Sequence, residues 1–120
     1  KFQAKDSSIP CVAPPYSSLV AMDIKTGNIL WNVPFGYSPG FNAMWGSVGG
    51  NSGGQLITSS DLVFAAGTDD LNLWAFSSLS GKVLWKYQLP SKVQGSPISF
   101  AINGVEYLSN CAVNRIYFLV

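Results

Sequence analysis

Residues 21–31 read Ala21-Met-Asp23-Ile-Lys-Thr26-Gly27-Asn-Ile-Leu30-Trp31, and residues 75–85 read Ala75-Phe-Ser77-Ser-Leu-Ser80-Gly81-Lys-Val-Leu84-Trp85. An alanine, a hydroxyl residue, a glycine, a leucine and a tryptophan recur at fixed offsets, with a period of 54 residues. Five agreeing positions in eleven argue against two unrelated hairpins with a common turn. The second copy departs from the first at Ser77, where the first has Asp23. Each position has a physical job. Ala21 and Ala75 are small enough for a neighbouring element to approach. Asp23 and Thr26 can bond the backbone of the turn they flank. Gly27 and Gly81 supply the positive φ of a tight hairpin. Trp31 and Trp85 then fall on the returning strand, where each ring has ~150–250 Å² to bury. The repeat predicts that the two indoles occupy equivalent, largely buried positions between sheets.

Between the tryptophans the pattern is strand and turn. Strands are expected at Gln55–Thr58, Leu62–Ala66, Leu71–Phe76 and Lys82–Leu89, the last stopped by Pro90. Alternation puts Leu71, Leu73 and Ala75 on one face, with Asn72, Trp74 and Phe76 on the other. Four antiparallel strands per repeat make a propeller blade. A further blade is expected to start at Ser96–Phe100 and to continue at Val105–Leu108 after an Asn103-Gly104 turn. Ser18–Ile24 and Asn28–Phe35 read as the outer strands of a preceding blade. No stretch sustains a 3.6-residue apolar period, so no helix longer than two turns is expected in 50–107.

The fold class is therefore all-β, a β-propeller fragment of about two four-stranded blades. Residues 8–36 are read as outer strands, 37–53 as a loop, 54–90 as the complete blade and 95–120 as the start of the next. The chain of 120 residues begins at Lys1 with no leader pattern and stops on the apolar run Ile116–Val120, and both ends read as cut. Two blades cannot close a ring, so open blade faces and the apolar tail are expected to make the chain self-associate.

Composition excludes several functions. Charged residues are 11%, against roughly a quarter in an average soluble domain, and the net charge is +1. No basic tract exists, so nucleic acid is not an expected partner. The absence of histidine from the sequence excludes a Ser-His-Asp triad, a Cys-His pair and a histidine metal site within this chain. The longest uncharged stretch, Thr26–Ser60, is too broken by Gly, Asn, Ser and Pro for a membrane helix. Cys11 and Cys111 are too few for a disulfide scaffold and are expected to be unpaired.

The Ala-x-Asp-x-x-Thr-Gly-x-x-x-Trp pattern resembles the tryptophan-docking repeat of the pyrroloquinoline quinone (PQQ) dehydrogenases. Narrower stretches carry the same resemblance. Ile9-Pro-Cys-Val-Ala-Pro-Pro15 and Leu19–Gly27 look like the C-terminal part of the membrane-bound glucose, quinate and polyol dehydrogenases. So do Gly53-Gly54 followed by Leu62–Asp70, and Leu89-Pro90 followed by Ser96-Pro97 and Asn103-Gly-x-x-Tyr107. The resemblance covers about residues 8–108. After Tyr107 this chain departs from the family, which runs into a Gly-rich turn. Phe41–Gly54 also looks longer than its counterpart, and Trp45 has none.

The resemblance implies an eight-bladed quinoprotein propeller with PQQ and Ca²⁺ (or Mg²⁺) on its axis. It further implies a sugar, polyol or cyclic hydroxy acid substrate and electrons passed to ubiquinone on the periplasmic side of the bacterial inner membrane. By the same resemblance, the metal ligands and catalytic aspartate lie in earlier blades, so no catalytic residue is expected in this chain. Asp70 matches an aspartate that lies near the quinone in the glucose-dehydrogenase-like branch. Read from the residues alone, Asp70 is a turn residue capping a Gly-Thr-Asp-Asp corner. Asp69 and Asp70 are expected to point to opposite faces and not to form an acid/base pair. Asn51, Gly53 and Gly54 are the second cofactor-side candidates, since glycines let backbone approach a flat ring; a flexible loop is the other reading. The remaining blades of a parent protein would be partners, and the isolated chain is expected to bind no cofactor. A non-catalytic propeller scaffold and a decayed fragment are the competing functions.

Overall fold

The computed structural model describes residues 10–49, 52–112 and 115–119. The strands are β1 (Ser18–Met22), β2 (Ile29–Pro34), β3 (Gln55–Ile57), β4 (Leu62–Ala65), β5 (Asn72–Ser77), β6 (Val83–Gln88), β7 (Ile98–Ile102), β8 (Val105–Ala112) and β9 (Arg115–Leu119). Among the described residues the one helical piece is a 3₁₀ turn, Ala43–Trp45, capped by the Asn42 side chain. The described residues are all-β apart from that turn, and Leu62–Ser77 runs without helix.

Three antiparallel sheets follow each other in chain order: β1-β2, β3-β4-β5-β6 and β7-β8-β9. Within each sheet, each strand pairs with its sequence neighbour, the meander of a propeller blade. The 54-residue repeat survives as register. Ala21 lies opposite Trp31 and Ala75 opposite Trp85, and each pair is followed by a register shift, at Ala21/Met22 and at Ala75/Phe76. Gly27 and Gly81 both sit at φ 75°, and the turn backbone closes identically, with Gly27 N–H on Asp23 and Gly81 N–H on Ser77. Asn103 and Gly104 both have positive φ, the geometry an Asn-Gly hairpin requires.

The core lies between sheets. Leu19 of the first sheet and Phe35 just after it pack on Val63, Ala65, Trp74 and Phe76 of the second. Phe35 meets Phe76 edge-on at 6.0 Å between centroids. The other face of the second sheet supplies Leu73, which packs with Ala66, Leu89 and Val93, and Phe64 and Leu108 border that cluster. Strand β5 is thus buried on both faces, as the central layer of a stack must be, and β6 on the outer rim is exposed throughout. The alternation expected for Leu73 against Trp74 and Phe76 is the observed one.

Trp31 and Trp85 do not share an environment. Trp31 Nε1 donates to the Ser78 carbonyl of the next sheet at 2.9 Å. Its ring lies so close over Gly81 that a Cβ there would stand 2.6 Å from Cε3. Trp85 is 43% exposed and stacks on Tyr87 at 6.0 Å and 14°. The expectation of two buried indoles is therefore corrected for Trp85. Register places the ring, but burial needs a receiving turn. The β5–β6 turn receives Trp31, and the described strands β7–β9 present no such turn to Trp85. It instead walls an open groove with Leu62, Phe64, Tyr87 and Tyr107.

The same asymmetry predicts different costs for two identical substitutions. Gly27→Ala meets open space and bears the left-handed backbone penalty alone, about 1–2 kcal/mol. Gly81→Ala bears that penalty and also pushes on Trp31 and Val33, for about 1–3 kcal/mol more. Urea denaturation of both variants is expected to show Gly81→Ala as the less stable; equal midpoints would remove the docking argument.

The apolar end of the chain is ordered as β9, which pairs with β8 from Leu108↔Leu119 to Ala112↔Arg115. Cys11 is exposed and free. The expectation for the Cys111 side chain lies outside the described residues.

Candidate functional site

Three connections gather at one end of the β3–β6 sheet: the β2–β3 connection, the β4–β5 turn, and the segment that follows β6. Strand β4 ends at Ala65 and β5 starts at Asn72, so Ala66–Leu71 must reverse the chain in six residues. Gly67 (φ 96°) and Leu71 (φ 64°) take the positive dihedrals that this needs. Ser52 ties the other two connections to the turn: its N–H donates to the Gly67 carbonyl at 3.0 Å, and its hydroxyl donates to the Val93 carbonyl at 2.9 Å.

Asp70 is 4% exposed and anchors this corner. Oδ2 accepts from the Tyr37 N–H at 2.8 Å and from the Thr68 hydroxyl at 2.8 Å. Oδ1 accepts from the Asn72 N–H at 2.8 Å and from the Trp74 indole N–H at 3.1 Å. A carboxylate has about four acceptor positions, and this chain fills them all. The Asn72 contact is the Asx-type turn bond that a capping residue makes. The Tyr37 contact comes from 33 residues away and ties the preceding sheet to the corner. Gly36, at φ 68°, allows it: a Cβ there would lie 2.7 Å from Asp70 Oδ2 and 2.5 Å from the Thr68 side chain.

Asp69 faces elsewhere. Its Oδ2 accepts from the Ser38 hydroxyl at 2.6 Å and from the Gly49 N–H at 2.8 Å. Its Oδ1 accepts from the Lys92 ammonium at 3.0 Å. Its own N–H donates to the Ser47 hydroxyl at 3.0 Å. The two adjacent carboxylates thus have no common partner and share no proton. Burial raises the Asp69 pKa, but the bonds from Ser38, Gly49, Lys92 and Ser47 outweigh it and lower the value to about 2.

Gly53 and Gly54 lie beside this corner. A Cβ on Gly53 would collide with the Ala66 carbonyl, and one on Gly54 with the Ser96 hydroxyl. Both glycines therefore allow close approach between parts of this chain. Asn51 lies outside the described residues. The structure brings Asp70, Gly53 and Gly54 to one end of the sheet, and the docking residues Ala21, Asp23, Gly27, Trp31, Ala75, Gly81 and Trp85 to the strands and turns beyond it. Asp23 Oδ1 accepts from the Lys25 N–H at 2.8 Å, which is the turn role expected of it.

Sequence reasoning missed Ser38, Ser47, Thr68 and Lys92 as partners of the two aspartates. The signal available was weak: with so few charges in the chain, each carboxylate near a turn wants donors, but spacing does not say which.

The Asp70 carboxylate has no acceptor position left, the two glycines face their own chain, and no group of three or more metal-ligating side chains occurs among the described residues. No helix of the described residues is long and apolar enough to cross a membrane.

Residues 1–108 match the family model described as the β-propeller domain of glucose/ethanol/alcohol dehydrogenases that use PQQ. The chain is 45% identical over 101 residues to a probable quinate dehydrogenase (quinone) of Xanthomonas campestris pv. juglandis, covering 77% of this chain and 12% of that protein. It is 39% identical over 99 residues to the quinate/shikimate dehydrogenase (quinone) of Acinetobacter baylyi, covering 77% and 12%. It is 33% identical over 111 residues to the quinoprotein glucose dehydrogenase of Gluconobacter oxydans, covering 83% and 14%. Among solved structures, the quinohemoprotein alcohol dehydrogenase ADHIIG of Pseudomonas putida HK5 superposes with a TM-score of 0.60 at 25% identity, covering 79% of this chain and 12% of that one. BamB of Moraxella catarrhalis superposes at 0.55 and 15% identity, covering 86% and 34%, a likeness of fold alone. The chain spans about one eighth of the length of the quinate dehydrogenases it matches.

Proposed function

Since the chain belongs to the β-propeller family of the PQQ-dependent dehydrogenases, we propose that it is the C-terminal part of a quinone-linked dehydrogenase. The parent oxidises a sugar, polyol or cyclic hydroxy acid of the glucose or quinate type and passes the electrons to ubiquinone on the periplasmic side of the inner membrane. The observation that carries this reading is that the family match runs through the whole Gly53–Asp70 corner. PQQ supplies the oxidising group of that chemistry when bound, and Ca²⁺ or Mg²⁺ is held by residues of other blades. In this reading the Asn51–Gly54 segment and Asp70 belong to the wall beside the cofactor. Asp70 serves that wall by holding the Tyr37, Thr68, Asn72 and Trp74 backbone and side-chain groups in one arrangement. No step of the oxidation is assigned to a residue of this chain.

The complete use of Asp70 by the chain's own donors also favours a second reading, a propeller scaffold that binds partner proteins without a cofactor. A chimera separates the two. The chain replaces the matching segment of the Xanthomonas quinate dehydrogenase, and the membrane fraction is assayed for PQQ-dependent ubiquinone reduction with quinate. The dehydrogenase reading expects retained activity that depends on added PQQ and divalent cation. A chimera that folds yet takes up no PQQ supports the scaffold. The isolated chain, titrated with PQQ and Ca²⁺, is expected to show no saturable binding and no dye reduction with glucose or quinate. One rim of a site must order the rest of it on binding, which costs affinity.

A further inference from the structure

The Asp69 cluster is used neither by the tryptophan repeat nor by the proposed cofactor wall. It joins three connections that are distant in sequence. Ser38 is 31 residues from Asp69, Gly49 is 20 and Lys92 is 23. Ser38 also accepts from the Val48 N–H at 2.8 Å, so its hydroxyl both donates to Asp69 and closes its own loop. Ser47 accepts from the Asp69 N–H, which places Ser47, Val48 and Gly49 in one clasp around the carboxylate. A Cβ on Gly49 would collide with the Asp69 carboxylate, so a larger residue there would have to displace it. The Asp69 and Lys92 side chains are 29% and 33% exposed, so the clasp is reachable by solvent and not locked in the core.

We propose that Asp69 is a positioning residue, a latch that holds the β2–β3 connection and the segment after β6 against the β4–β5 turn. Two connections from successive sheets then move as one body, and the Ser47–Gly49 stretch takes its position from a single carboxylate. Asp70 anchors the core side of the same corner, and Asp69 holds its outer side. The two adjacent aspartates divide the work, with separate partners. The latch is a property of this chain and stands whatever the parent oxidises.

Hydrogen–deuterium exchange on the 120-residue chain tests this. Asp69→Ala removes both acceptor oxygens and the charge that holds Lys92. It is expected to speed exchange about tenfold or more at Val48 and Gly49 and across residues 90–95, because charge-assisted bonds guard these openings. The amides of β5 are expected to keep their protection. Lys92→Met is expected to speed exchange across 90–95 alone, and Ser38→Ala at Val48 and Gly49 alone. Unchanged exchange at Gly49 in Asp69→Ala overturns the latch. So does an increase spread evenly over all strands, which would make Asp69 an ordinary stability residue. Where Asp69→Ala fails to fold, the two partner variants decide: changes confined to their own segments support the latch, and changes in both segments from either variant overturn it.

Discussion

Asp70→Ala is expected to remove a large part of the stability of the chain. The substitution leaves the Tyr37 N–H, the Asn72 N–H and the Trp74 indole N–H without an acceptor in a buried corner, and the Thr68 hydroxyl without its partner. Each buried unsatisfied donor costs about 1–3 kcal/mol, partly offset because a buried charge no longer has to be desolvated. A net loss of about 3–5 kcal/mol follows, against a total of roughly 6–18 kcal/mol for a chain of this length. Asp70→Asn separates charge from shape. Its amide nitrogen at the Oδ1 position would meet two N–H donors that cannot reverse. At the Oδ2 position it meets the Tyr37 N–H and the Thr68 hydroxyl, and the hydroxyl can turn to accept. The asparagine is therefore expected to adopt the second orientation, to lose chiefly the Tyr37 bond, and to cost about 1–3 kcal/mol. Urea denaturation of both variants gives the two values. Equal losses would mean that the carboxylate charge, and not the count of acceptors, anchors the corner. No loss in either would mean that the corner is not held by Asp70 at all.

Trp31→Ala and Trp85→Ala are expected to differ widely although the repeat makes the residues equivalent. Trp31 loses packing over Gly81 and against the core cluster of Leu19, Phe35 and Phe76, together with the bond to the Ser78 carbonyl. A large aromatic removed from such a contact costs about 3–5 kcal/mol. Trp85 loses a half-exposed ring whose ring partner is Tyr87, for about 1 kcal/mol or less. Thermal or urea melts read the difference, and a deficit as large in Trp85→Ala as in Trp31→Ala would show that the groove beside Trp85 is filled. Tryptophan fluorescence adds a second reading, because loss of Trp85 is expected to remove a red-shifted, quenchable part of the emission.

Much of the architecture was legible in the residues. Strand and turn patterning is local, so Gly27, Gly81 and Asn103-Gly104 marked hairpins, and Pro90 marked the end of a strand, without reference to anything distant. The alternation through Leu73, Trp74, Ala75 and Phe76 assigned the two faces of β5, because side chains alternate across any strand. The 54-residue repeat put Trp31 and Trp85 at equivalent positions on the returning strands, since a repeated turn enforces a repeated register. The family was legible too, through the Gly53–Asp70 corner. What decided the remainder was contact between segments far apart in the chain. Trp85 occupies the register of Trp31 and is nevertheless exposed, because burial depends on a receiving turn in the next sheet. Asp69 and Asp70 look alike as neighbours in sequence. They separate into a loop latch and a core anchor only when Ser38, Gly49 and Lys92 arrive on one side and Tyr37 and Trp74 on the other. Turn chemistry acts over a few residues and can be read from them. Hydrogen-bond partners 20 to 33 residues away are chosen by the packing of whole sheets, which no local spacing records.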